Sequence, residues 1–498
     1  MIPSRVGRDV VALALSVLTL VALGACAGGR REARAPGAAV WLSGRAAPLD
    51  LPVLDRLHTG GVADFFVEAA GLEWTGAGVE LQRHELPRLP RRERVTLVVS
   101  GERPPAGVDT QAAAKQLAAA LDGLRLAAEG AGLLPTGIHF DSAAGARLAT
   151  TATLMAELRD ALDGRLHLSA SVGRGDLDDP ELPKLAEEVD FLVAFLYGQR
   201  PGEPEDARNW DLQEVEKGVA RLEQLGRHYY LVAASAGSAS LRDRRDSTRG
   251  ISTSLELGAL VRDGRLELKR GFSLEGIDRQ VYEFRAKAPL AVGDWQLAPG
   301  DSVRVVRAAT SNLEEFLRRC GAWGTERMLG PLFFRLPEPG ERLVLSAANL
   351  AAALDPEPSR PRIDLEVEAL ESRPGSRTVR LRLVSHNDES TDLAFFEANY
   401  VEVSVTGARI ADAEPGDFAR FELSRDGERS TMQALRQADT VRLWVPWVDG
   451  RQELRSGPIE IVPSGREEPG IFSSGRFALT DGTILALERR AWSGEEAP

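Results

Sequence analysis

The chain of 498 residues has two cysteines, Cys26 and Cys320, and six histidines. With Cys26 committed elsewhere, as argued below, no intrachain disulfide is expected, and Cys320, in the helix-like stretch Leu313 to Cys320, reads as a small buried apolar residue. No two histidines stand at ligand spacing, so no metal is expected. No glycine-rich loop follows an apolar strand, which removes the sign of a phosphate cradle, and no cofactor is expected. No strand ends in a G-x-S-x-G elbow, so serine-based acyl transfer has no support. Positive charge is also short. The formal charge is -13, which disfavours nucleic acid and anionic lipid as partners. The local run Arg91 to Arg94 reads as a solvated loop before a strand. Long apolar runs are missing as well: Val10 to Gly24 is shorter than the ~20 residues that span a bilayer.

That short run has a different meaning. Arg5 and Arg8 precede it, and Leu23-Gly24-Ala25-Cys26 ends it. A basic start, an apolar stretch and small residues at the end form a secretion signal. The last four residues resemble the bacterial lipobox, which implies removal of residues 1–25 and lipidation of Cys26. The expected partner is therefore a membrane, through lipid on that cysteine. Ala27 in place of aspartate leans the expectation towards the outer membrane, with the protein facing the periplasm or the cell surface. Residues 26–38 read as a flexible tether. Losing 25 of 498 residues leaves 473, enough for two or three domains; losing Arg5, Arg8 and Asp9, a net of +1, leaves a charge near -14.

From 39 to 354, short apolar strands alternate with amphipathic helices. Strands are expected at 39–43, 62–68, 95–100, 137–141, 166–172, 191–197, 229–235 and 331–335. Helices are expected over 110–129, 150–163 and 211–225, where leucines and valines recur three and four residues apart. Eight strands with crossover helices predict a (β/α)8 barrel of the TIM type. An insertion is expected at about 238–308. It opens with a polar stretch, Ser238 to Ser254, read as a mobile loop, and continues as a small antiparallel sheet. The prolines of 355–362 mark a linker. Beyond it, period-two strands over 363–463 predict an immunoglobulin-like β-sandwich, and 464–498 reads as a C-terminal tail with one hairpin at Asp481-Gly482.

Active sites in such barrels lie at the C-terminal ends of the strands. Asp141 stands at one such end and Glu68 at another, and these are the candidate catalytic carboxyl groups. Trp41, His139, Tyr197, Gln199 and Arg335 are the candidate substrate-binding residues. Aromatic faces suit sugar rings, and carboxylates suit hydroxyls. Glycoside hydrolysis in its common form uses two carboxyl groups about 5–9.5 Å apart. Each residue also has a plainer role: Asp141 capping a helix or pairing with Arg335, His139 as an interior hydrogen-bonded group, Trp41 and Tyr197 as packing.

The segments Gly137-Ile138-His139-Phe140-Asp141, Leu168-Ser169-Ala170-Ser171, Phe195-Leu196-Tyr197-Gly198 and Phe333-Phe334-Arg335-Leu336-Pro337, with the aromatic first strand at Trp41, share order and spacing with a known group. They resemble a bacterial family of unknown function, often lipoproteins, whose members look like relatives of glycosidase-type (β/α)8 barrels. The resemblance spans about 39–353 and implies the barrel and a glycan ligand, with no settled activity. Family-18 chitinases carry a glutamate two residues after the aspartate of the fourth strand; here that position is Ala143. Their substrate-assisted mechanism is therefore not implied. Two readings stay open, a glycan-acting surface enzyme and a non-catalytic binding or structural lipoprotein of the envelope.

Overall fold

The computed structural model describes residues 37–75, 78–142, 148–162, 166–197, 212–273, 280–323, 326–355, 361–387, 393, 396–425, 428–429, 437–448, 450–466, 468–479 and 483–493. Cys26 with its signal segment, nearly all of the tether, Ala143, Gln199, most of the linker and the Asp481-Gly482 turn lie outside the described residues.

Eight parallel strands close into a barrel: Ala38–Leu42, Val62–Thr75, Arg94–Gly101, Leu134–Ser142, His167–Gly173, Phe191–Phe195, His228–Ala234 and Met328–Phe334. They pair in chain order, and the first strand closes the ring by pairing with both the eighth and the second. Period-two alternation divides every strand between two cores. Outward residues such as Val40, Phe65, Leu97, Ile138, Leu168 and Leu231 pack beneath the helices. Inward residues Trp41, Phe66, Val98, Val193, Tyr230, Val232 and Leu332 fill the barrel itself. A barrel of eight strands has an interior just wide enough for layers of side chains, so these aromatics are packing, not pore lining.

The crossover helices follow from composition. Thr110–Gly130 is alanine-rich, and Asp109 caps it by accepting from the Ala112 backbone N–H at 3.0 Å. It buries Ala113, Leu117, Leu121, Leu124 and Ala128 against the barrel. At the barrel's N-terminal end the Tyr230 hydroxyl donates to Asp64 Oδ2 at 2.6 Å. Tyr230→Phe is expected to lower stability by about 1–2 kcal/mol, the worth of one hydrogen bond to a half-buried carboxylate. Urea titration of the variant checks this, and an unchanged midpoint would mean that water replaces the hydroxyl.

Three local expectations need correction. The second strand does not end at 68 but runs to Thr75 and returns through Gly78–Arg83 as a hairpin standing above the barrel rim. A register shift after Glu68 lets it continue beside the third strand. A Cβ at Gly101 would lie 2.4 Å from the Leu72 carbonyl oxygen, so glycine permits that approach.

The polar stretch opening the insertion is a hairpin rather than a mobile loop. Ser238–Arg242 pairs with Thr248–Ser252 in a five-stranded antiparallel sheet. Ala239 and Leu241 alternate into that sheet's core, and Asp243 closes the turn by accepting from the backbone N–H groups of Arg245 and Ser247.

Finally, the chain beyond 464 is not a tail. Gly470–Ala478 pairs along its length with Tyr400–Thr406, and Ile484–Ala491 pairs with it in turn. Ile471 and Phe477 sit in the core between this six-stranded sheet and a second antiparallel sheet of five strands, which begins with Ile363–Leu370 and Arg377–Ser385. The last domain is an all-β sandwich, immunoglobulin-like in its two packed sheets. Among the described residues no helix is long and apolar enough to cross a membrane.

Candidate functional site

The C-terminal ends of the second, third and fourth strands border a cavity of about 710 Å³. The extended second strand supplies Leu72, Glu73 and Trp74, the third Ser100, Gly101 and Glu102, and the fourth Asp141. The half-buried Trp74 is held by its indole N–H, which donates to the Glu102 carbonyl at 2.8 Å. Gln82 of the hairpin donates to Glu73 at 2.5 Å.

Asp141 is anchored from the fifth strand. The Ser171 hydroxyl donates to its Oδ1 at 2.7 Å. Burial pushes the Asp141 carboxyl above the usual aspartate range, and the Ser171 bond opposes that. Behind Ser171 lies His139, fully buried, with Nε2 3.0 Å from Ser171 Oγ and Nδ1 3.0 Å from Ser169 Oγ. Desolvation lowers the imidazole to about 3, so it is neutral at physiological pH. His139 is thus an interior hydrogen-bonded group; its position inside the barrel removes it from contact with a ligand. The fourth and fifth strands pair in register at His139 and Ser169, and the small inward serines leave room for the ring.

Just past the strand ends, Arg103 and Asp176 form a buried two-pronged pair, with Nη1 to Oδ1 at 2.9 Å and Nη2 to Oδ2 at 2.7 Å. The Arg103 Nε also reaches Ser142 Oγ at 3.3 Å. This links the segments that follow the third and fifth strands to the end of the fourth, which carries Asp141.

Glu68 lines a different cavity of about 400 Å³, with Ser43, Gly44, Arg45, Arg83, His84, Glu85 and Glu338. Trp41 donates from its indole N–H to Glu68 Oε1 at 3.0 Å. Burial raises the Glu68 carboxyl, while the Trp41 bond and the charges of Arg335 and His84 lower it; the charge of Asp141 raises it further. The two carboxylates therefore sense each other while lining separate cavities.

The substrate-binding candidates fare unevenly. Trp41 is fully buried: its face is stacked on Phe66 at 5.9 Å, and His139, Phe195 and Phe334 pack edge-on around it. It cannot present a face to a sugar, and its contribution is the N–H on Glu68. Arg335 is not against Asp141. Its guanidinium grips Glu341 with two bonds of 2.6 Å, and Glu341 also accepts from Thr253 and from the Glu338 backbone. Tyr197 stands half-buried just beyond the sixth strand, its ring 6.0 Å from Phe195. Ser100 and Glu102 were missed. The signal was present, since both lie where the third strand ends, at the same height as Asp141, with Ser100 in register beside it. The Arg103–Asp176 pair had no local signal, because 73 residues separate its members.

No protein-family model matches the chain, and no curated protein matches it in sequence. Among solved structures it is similar to a chitinase from Chromobacterium violaceum ATCC 12472, at 15% identity and a TM-score of 0.42 over 64% of this chain and 98% of that one. It is similar to a spore cortex-lytic enzyme of Bacillus cereus, at 12% identity and a TM-score of 0.41 over 64% of this chain and 73% of that one. A GH18 chitinase from Cycas revoluta in complex with (GlcNAc)3 aligns at 14% identity and a TM-score of 0.39, over 64% of this chain and 96% of that one. The barrel rests on its own strand order.

Proposed function

We propose that this chain is an envelope lipoprotein, held by lipid on Cys26, whose barrel mouth binds a saccharide in the Asp141 cavity. What supports this reading is the setting of Asp141: one carboxylate oxygen is tied to Ser171, in a cavity that Trp74 also lines. Sugar recognition needs an apolar face against C–H groups and fixed acceptors for hydroxyls. Trp74 is oriented by its bond to Glu102, and Asp141, Glu73 and Glu102 are acceptors. A cavity of about 710 Å³ falls within the usual size of small-molecule sites. Its carboxylates disfavour phosphorylated or nucleic-acid ligands and suit neutral saccharides.

A second reading, glycoside hydrolysis by Asp141 with Glu68, is favoured by one observation. Both carboxyls are pushed up by burial, the direction a general acid requires. Binding without cleavage is preferred because the two groups line separate cavities and because Ala143 stands where family-18 chitinases hold their glutamate.

The test is calorimetric binding and product analysis on a panel of oligosaccharides, using a soluble form starting at Arg30. Wild type is expected to bind and Asp141→Asn to bind about 10–100-fold more weakly, the worth of one hydrogen bond to a charged group. Cleavage that vanishes in Asp141→Asn would establish the second reading. Equal binding by both proteins would overturn the assignment of Asp141. Separately, Cys26→Ala is expected to release the protein from the membrane fraction, and retention would sink the anchor.

A further inference from the structure

With Asp141 ionised, the path from Ser169 through His139 and Ser171 to Asp141 has a direction that follows from counting protons. A serine hydroxyl has one proton, and Ser171 commits its own to Asp141 Oδ1 at 2.7 Å. Its contact with His139 Nε2 at 3.0 Å must then be a bond that Ser171 accepts, so the imidazole proton is on Nε2. A neutral imidazole has one N–H, so Nδ1 is bare and accepts from the Ser169 hydroxyl at 3.0 Å, the nearer acceptor for that proton, the Ile138 carbonyl oxygen being 3.4 Å away. All three donors point along one line towards Asp141, and the ring cannot turn out of it, because Trp41 and Phe66 pack edge-on against it at 5.5 Å each.

We infer that His139 and Ser171 are positioning residues for Asp141. They hold its Oδ1 as a fixed acceptor in the ionised state and leave Oδ2 for the ligand. The inference rests on the saccharide-binding reading above for its ligand, but not for its proton arrangement. Successive donors polarise one another in a low-dielectric interior, so the bond at Asp141 is stronger than that of an isolated serine. Such a bond offsets the burial that otherwise favours the neutral carboxyl. The other charged groups near Asp141 do not provide that support. Glu73 and Glu102 share its cavity, and the Glu68 carboxylate senses its charge, all of them acidic. Arg103 is committed to Asp176.

Two measurements test this on the full chain in detergent. The first is nitrogen-15 NMR of histidine-labelled protein, with His139 assigned by the loss of its signals in His139→Gln. The expected pattern is a protonated Nε2 and a bare Nδ1, unchanged between about pH 5 and pH 8, the window in which an ordinary histidine titrates. A proton on Nδ1, or titration in that window, would overturn the directed path whether or not any saccharide binds. The second is the pH profile of saccharide binding. Affinity is expected to fall with acidification as Asp141 protonates. Ser171→Ala should move that midpoint upward and Ser171→Thr, which keeps the hydroxyl, should restore it. An unmoved midpoint in Ser171→Ala would show the serine to be packing alone. A panel on which wild type binds nothing would instead sink the saccharide reading and, with it, the ligand role of Oδ2, while the NMR result still decides the path.

Discussion

Replacing Arg103 by alanine is expected to cost the barrel about 3–5 kcal/mol, because it leaves the Asp176 carboxylate buried without its partner. Arg103 and Asp176 are 4% and 5% exposed, and both prongs of the guanidinium are used. Asp176 Oδ2 also accepts from the Gly173 backbone N–H at 2.8 Å, which ties the carboxylate to the end of the fifth strand. One bond to a backbone amide cannot offset the cost of a desolvated charge. The double variant Arg103→Met with Asp176→Leu should lose much less than Arg103→Ala, since it removes both charges at once. Guanidinium titrations of the three proteins check this. Equal losses in the single and double variants would show that packing, not charge, is what the site needs. Because Arg103 also reaches Ser142, next to Asp141, the single variant should weaken saccharide binding along with stability.

Trp41→Ala is the second large effect, about 3–5 kcal/mol for a fully buried tryptophan. Trp41→Phe separates packing from hydrogen bonding, since it keeps most of the ring and removes only the N–H on Glu68. Burial already raises the Glu68 carboxyl, and losing that donor raises it further. The sign follows from linkage. A carboxyl whose folded value lies above its unfolded value contributes stability that is fully present below the unfolded value and lost as pH rises through the folded one. Trp41→Phe should therefore be more destabilised at neutral pH than in mild acid. Glu68→Gln, which carries no charge to desolvate, should lose that pH dependence. Thermal midpoints of the wild type and both variants, taken across the acidic range, measure this. A Trp41→Phe deficit that stays constant with pH would show that the indole N–H does not support the ionised carboxylate.

These cases mark how much of the site could be read in advance. A strand's period of two and the position of its end give Asp141, Glu68, Trp41 and His139 their inward parity. What that pattern does not contain is depth or partnership. Trp41 and Glu68 have the same inward parity, yet one is fully buried and the other lines a cavity. Arg335 had the right strand and the wrong partner, because Glu341 comes from the chain beyond the eighth strand. The strand Gly78–Arg83, which brings Arg83 to the Glu68 cavity, was hidden because it is short and mixes exposed polar residues with Val79 as its one buried side chain.

The class of the fold is legible along the chain: eight apolar strands separated by amphipathic helices, a proline-rich break, then strands of period two. Each of these is a local pattern, set by which residues along a strand or helix must leave water. Tertiary structure alone decided the chemistry at the mouth. It brought the Ser169, His139 and Ser171 side chains into line behind Asp141, closed Arg103 on Asp176, and gave Asp141 and Glu68 separate cavities. Those relations depend on distance between residues far apart in the chain and on burial, which moves a carboxyl's proton affinity without changing a letter of the sequence.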